Sequence, residues 1–96
     1  MITTGTIRQL AALLVNDRAA VLQVMQGMSG YAVCVAYRPP GAPSFARAWL
    51  ASSRAPEVIR EFSAVHAALR SAAQVYRLAN PTATTGHVEC VLDLAE

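Results

Sequence analysis

Apolar residues recur with helical spacing through the second half of the chain. From Arg54 to Asn80, Val58, Phe62, Val65, Leu69, Ala72 and Tyr76 follow one another at steps of four and three, the stripe of an amphipathic helix. Pro56 suits a first helical turn, Glu57 and Glu61 complement the positive end of the helix dipole, and Asn80-Pro81 stops it. The pattern predicts one helix of about two dozen residues, roughly 36 Å long. A second parsing divides the stretch at Ser63, with Glu57–Phe62 as a short strand and Ser63 as the N-cap of a helix to Ala79. Alternation over that strand is poor, because Ile59 would lie between two glutamates on the face opposite Val58 and Phe62. The pattern therefore favours the long helix. Both parsings make residues 64–79 helical.

Towards the N-terminus, Ile7, Leu10, Leu14, Val21, Met25 and Met28 are the apolar positions of a first helix, with Thr3 or Thr4 as its cap. Asn16-Asp17-Arg18 interrupts it. Two short helices joined there would form a helix-turn-helix, but Ala19–Gln26 offers few groups able to read base edges. One bent or continuous helix, lying over a sheet and ending at Gly27 or Gly30, is the expectation. Tyr31, Val33, Val35 and Tyr37 then alternate with Ala32, Cys34 and Ala36, which predicts a strand. Arg38-Pro-Pro-Gly-Ala-Pro43 forces a turn, and Ser44–Ala51 resumes an extended pattern, so the two segments form a hairpin. Turn formers fill residues 82–86. A last strand spans His87–Leu94, with Val88, Cys90, Leu92 and Leu94 inward and His87, Glu89 and Asp93 outward. The chain reads as a single α+β domain over residues 1–96, an antiparallel sheet of three to four strands packed against two helices.

Composition agrees with a compact fold: 96 residues are 54% hydrophobic and 15% charged. The formal net charge of +2 is a mild basic excess, well short of a dedicated nucleic-acid binder. All eight basic residues are arginine, which together with the abundant alanine fits a GC-rich genome as well as a bias towards phosphate or carboxylate contacts. The N-terminal residues have no basic flank followed by an apolar core, and no apolar run approaches the roughly 18 residues that span a bilayer, so no membrane partner and a cytoplasmic protein are expected. Cys34 and Cys90 fall in predicted strands and read as reduced core thiols, with a disulfide as the alternative if the two strands are neighbours.

Catalytic patterns are missing. Without lysine there is no phosphate-binding Gly-Lys-Ser/Thr loop, the glycines form no dinucleotide fingerprint, and no serine sits in a nucleophile elbow. His87-Val88-Glu89 lacks the later Pro-Cys-x-x-Cys of a zinc deaminase. His66, His87, Cys34 and Cys90 are not spaced as local metal pairs. No catalytic residue, cofactor or metal is assigned. Recognition is the remaining chemistry. Phe45, Arg47 and Trp49 alternate onto one strand face, with Tyr31 and Tyr37 as neighbours, a pattern that can stack single-stranded bases and meet phosphate. With only six aromatics in the chain, the opposing placement, under a helix with Arg47 near an edge, is favoured. His66, Arg70 and Arg77 lie on the helix face away from the stripe, where a solvated surface is the simplest reading.

The run Arg60-Glu-Phe-Ser-Ala-Val-His-Ala-Ala68, preceded by a tryptophan-bearing strand, resembles a pattern in small accessory proteins of plasmids and integrative conjugative elements, some of them partition-associated. That resemblance implies an Arg-x-Phe at the end of a strand followed by a capped helix, and hence the division at Ser63. It also implies a mobile-element protein without a catalytic site, working by binding. Small inhibitors of host defence carried by such elements, among them anti-CRISPR proteins, act in this way. The expected function is thus a non-enzymatic interaction protein with a protein partner. Nucleic-acid binding is the alternative, and an exposed terminal strand can also pair with its copy in a homodimer. The candidate contact residues are Arg47, Trp49, Arg54, Arg60, His66, Arg70 and Arg77.

Overall fold

The alternation over Tyr31–Tyr37 becomes the central strand of a mixed sheet. In a computed structural model of the protein, residues 3–16, 19–27, 30–80 and 89–91 are described, the last three by their backbone pairing. The elements run β1 (Thr3–Gly5), α1 (Ile7–Asn16), β2 (Val21–Gln26), β3 (Tyr31–Tyr37), β4 (Ala46–Leu50), α2 (Val65–Ala79) and β5 (Glu89–Val91). Among the described residues the strands lie in the order β1-β4-β3-β2-β5. β2, β3 and β4 are antiparallel neighbours, whereas β1 joins β4 and β5 joins β2 in parallel. The α+β class with a largely antiparallel sheet and two helices is as expected; the parallel outer strands are an addition to it.

Both helices pack on one face of the sheet. Leu22, Val24, Val33, Val35, Ala48 and Leu50 meet Leu10 and Ala11 of α1 and Ala68, Ala72 and Val75 of α2 in one apolar cluster. Ala68, Ala72 and Val75 fall at i, i+4 and i+7, and Val65, Leu69 and Tyr76 of the predicted stripe pack beside them. Since side chains alternate along a strand, the residues between the clustered ones face the other way. Register then lines up Thr4, Trp49, Cys34 and Gln23 across the face opposite the helices.

Three expectations are overturned. The first helix does not continue past Asn16: Val21–Gln26 is β2, paired along its whole length with residues 31–36 of β3. The apolar positions Val21 and Met25, four apart, fit a helix and a strand equally, and the partner strand decides between them. This removes the helix-turn-helix reading. Nor do Thr3 or Thr4 cap α1. They lie in β1, and the cap is Thr6, whose Oγ1 accepts from the Gln9 N–H at 3.2 Å while Gln9 Oε1 accepts from the Thr6 N–H at 2.8 Å. Thr6-x-x-Gln9 is a reciprocal capping box.

The long helix over Arg54–Asn80 is the third. α2 begins at Val65, and its N-cap is Ala64, without a side-chain cap, in place of Ser63. The preceding stretch is extended where it meets the sheet. Ala51 bridges Ile59 and Tyr31 bridges Phe62, with the Arg60 N–H donating to the Leu50 carbonyl at 2.8 Å and the Ser52 N–H to the Val58 carbonyl at 2.7 Å. These bonds satisfy backbone groups that a helix would have paired internally, so tertiary contacts override the stripe. Gly30 permits the crossing. A β-carbon there would lie 2.4 Å from the Phe62 carbonyl oxygen. At the other end, the Asn80 N–H donates to the Tyr76 carbonyl at 2.8 Å, closing α2 where expected.

The hairpin forms as predicted, with Tyr37 opposite Ala46 and a loop in which Gly41 takes φ 78°. Cys34 is free and buried, and β2 separates its strand from that of Cys90, so the two cysteines are not on neighbouring strands. The predicted turn over 82–86, and His87, Val88, Leu92, Asp93 and Leu94 of the terminal strand, lie outside the described residues.

Candidate functional site

The seven candidate contact residues do not converge on one site. Arg47 and Trp49 share the sheet face opposite the helices. Tyr31 and Tyr37 are not beside them, contrary to expectation: both pack against the helix-side core, where Tyr37 is in register with Ala46. The placement of the Arg47–Trp49 face under a helix is likewise overturned, because α1 and α2 cover the Ala48–Leu50 side. Phe45 lies outside β4, half exposed, with the Arg38 guanidinium 5.1 Å from its ring centre.

Arg47 is tied down by its neighbours. Its Nε donates to Gln23 Oε1 at 3.2 Å, and the Cys34 thiol lies 3.7 Å from the same oxygen. Burial pushes the Cys34 thiol up to about 11, against the opposing pull of the Arg47 guanidinium. A thiol held protonated in this way is a poor nucleophile and a poor metal ligand. Among the described residues no group of three His, Cys, Asp or Glu side chains could hold a metal ion.

Arg54 and Arg60 belong to the connection between β4 and α2. Arg54 is exposed and its N–H donates to Ser52 Oγ at 3.3 Å, while the Arg60 guanidinium sits 4.8 Å from the ring centre of the buried Phe62. Arg60 thus covers a core residue. His66, Arg70 and Arg77 are exposed on α2, in the other layer from Arg47.

A groove between the helices escaped the sequence reading. Two adjoining depressions, of about 320 Å³ and about 460 Å³, share Arg8 and Leu78. Ala11, Ala12, Val15 and Asn16 line the first, and Ile7, Gln74 and Arg77 the second. Val15 is 61% exposed and Leu78 53%, and they are two of the four large apolar residues left in solvent among the described residues. Val15 lies four residues after the core Ala11 and Leu78 three after the core Val75, so both stand at the solvent edge of their helix's apolar face. A valine and a leucine that extend two helical apolar faces into solvent were the signal available. Neither helix contains an acidic residue, whereas Arg8, Arg70 and Arg77 project from them.

No family model, no curated protein and no solved structure matches this chain. Among the described residues no helix is long and apolar enough to cross a membrane.

Proposed function

We propose that the protein is a non-enzymatic binding module that engages a protein partner through the groove between α1 and α2. The observation that carries this reading is the pairing of Val15 and Leu78, two exposed aliphatic side chains from different helices, on one trough. An exposed apolar patch bounded by polar residues is the usual mark of a protein contact. The resemblance of Arg60–Ala68 to accessory proteins of plasmids and conjugative elements adds a setting. In it the module acts in the cytoplasm and its partner is host machinery, such as a defence complex held inactive in the manner of an anti-CRISPR protein.

Tagged protein retained from nuclease-treated lysate tests the reading. A discrete partner should bind wild-type protein and the Trp49→Ala variant, and be lost from Val15→Asp/Leu78→Asp. Both substituted positions are exposed, so the fold should survive, which circular dichroism checks. Equal retention by wild type and the double variant sinks the groove as the contact.

A second reading has its own observation: Arg47 and Trp49, two apart on the sheet face opposite α1 and α2, as in sheets that stack single-stranded bases. Trp49 is the only tryptophan in the chain. Quenching of its fluorescence by an oligonucleotide, reversed by salt, would favour nucleic acid.

A further inference from the structure

The groove has a direction, a floor and a charge, and together these specify an occupant. Its floor follows Ile7, Ala11 and Val15 at steps of four along α1, with Leu78 of α2 alongside. From Ile7 to Val15 is roughly 12 Å at 1.5 Å per residue. That length matches two turns of a docked helix presenting apolar side chains at i, i+3 or i+4, and i+7. An extended strand is not favoured here, because both walls are helices whose backbone groups are already paired internally.

Charge narrows the choice. Arg8 lines both halves of the trough and Arg77 one of them, and Arg70 projects from the same helix. No acidic residue occurs over the 10 residues of α1 or the 15 of α2. A second copy docked helix layer to helix layer would oppose arginine with arginine, which costs free energy at each close pair. Nucleic acid could meet the arginines but has no use for Val15 and Leu78. Glutamates flanking an apolar stripe satisfy both features, because they give Arg8 and Arg77 carboxylate partners while leucines fill the floor.

We propose that the groove between α1 and α2 receives an amphipathic helix with an acidic polar face, supplied by a protein partner. The inference rests on the protein-partner reading of the groove and adds the chemistry of the partner.

Fluorescence anisotropy with defined probes tests it. The first probe is a labelled model peptide of about 18 residues, long enough to hold a helix, with leucines at i, i+3, i+4 and i+7 and glutamates on the other face. Three controls accompany it: the isomer with lysines for glutamates, a scrambled sequence of the same composition, and labelled oligothymidylate. The acidic helix should bind at least about ten-fold more tightly than the lysine isomer and the scrambled peptide. Val15→Asp/Leu78→Asp should abolish binding, and Arg8→Glu/Arg77→Glu should reverse the preference towards the lysine isomer. Reversal is a gain of binding, so it cannot arise from misfolding.

Equal binding of the acidic and scrambled peptides, or no reversal in the charge-swapped variant, overturns the proposal. If the model peptides fail while Val15→Asp/Leu78→Asp still loses a nuclease-resistant partner, the groove reading stands and the acidic helix alone is wrong. Binding of oligothymidylate with quenching of Trp49, and no response to the groove substitutions, overturns both.

Discussion

On the helix side of the sheet, Leu22, Val24, Val33, Val35 and Leu50 meet Leu10, Ala68, Ala72 and Val75, all almost without exposed area. On the opposite side the same strands carry Ala32, Cys34, Ala36, Gln23, Arg47 and Trp49, a mixture of small, polar and half-covered residues. The middle of β3 is buried on both faces, yet Val33 and Val35 point to the helices, and the smaller Ala32, Cys34 and Ala36 point away. The first face is held by apolar area, which is insensitive to pH and loses most when a side chain is cut back. The second is organised around one carbonyl oxygen, that of Gln23, and should respond to partner removal and to protons. The two faces therefore make different experimental demands.

The largest expected effect falls on the helix side. Leu10 is fully buried at the centre of the cluster, so Leu10→Ala should lower unfolding free energy by about 2–5 kcal/mol, read from urea midpoints. Trp49→Ala, at a half-covered site, should cost clearly less. If the two substitutions cost the same, the contrast between a core face and an auxiliary face is wrong.

How far this contrast was legible in the sequence depends on the element. The hairpin Tyr31–Tyr37 with Ala46–Leu50 could be read because alternation, a proline-rich turn and strand-forming residues all agree there. β2 could not, since Val21, Leu22, Val24 and Met25 satisfy a helical stripe as well as a buried strand, and only pairing with β3 decides. In α2 the stripe from Val65 onward flanks the core, whose fully buried line is Ala68, Ala72 and Val75, and it ran too far back. Val58 and Phe62 continue its spacing, although their segment hydrogen-bonds to the sheet through Leu50, Ser52 and Tyr31. The candidate arginines were visible by type, but their division between two layers was not, because that depends on which sheet face the helices cover. Val15 and Leu78 were visible as well, and mattered only once α1 and α2 were seen to lie side by side.

Protons should separate the faces next. The folded Cys34 thiol titrates near 11 against an ordinary value of 9.0, so the fold favours the neutral form. Below about pH 9 both states hold the proton and the contribution is complete. Between about pH 9 and 11 the unfolded chain releases it first, so stability falls as pH rises. Two pH units correspond to at most about 3 kcal/mol. Urea midpoints across this range should fall more steeply for wild type than for Cys34→Ala. The difference between the two proteins isolates the thiol. Parallel curves would mean that Cys34 is not held neutral by its surroundings.

The smallest effect tests whether the polar cluster organises its face at all. Arg47 is exposed, so most of its charge is screened, and what it gives Gln23 is one hydrogen bond to a side chain only 7% exposed. Arg47→Met should cost about 1 kcal/mol by removing that carbonyl's stronger donor and leaving it the weak Cys34 thiol. Gln23→Leu in the same chain removes the acceptor as well, and the double variant should recover part of the loss, because no under-paired carbonyl is left and only the weak Cys34 thiol contact goes with it. A double-mutant cycle on urea midpoints measures this as a coupling of about 0.5–1.5 kcal/mol. With no coupling, the 3.2 Å contact would contribute nothing to folding, and the face opposite the helices would be an apolar surface that merely tolerates Arg47. With coupling of that size, Arg47 is held in place by Gln23 before any ligand arrives, and nucleic acid binding to that face would have to break or share this bond. The groove between α1 and α2 carries no such constraint, since no hydrogen bond or ion pair holds Arg8 or Arg77 among the described residues.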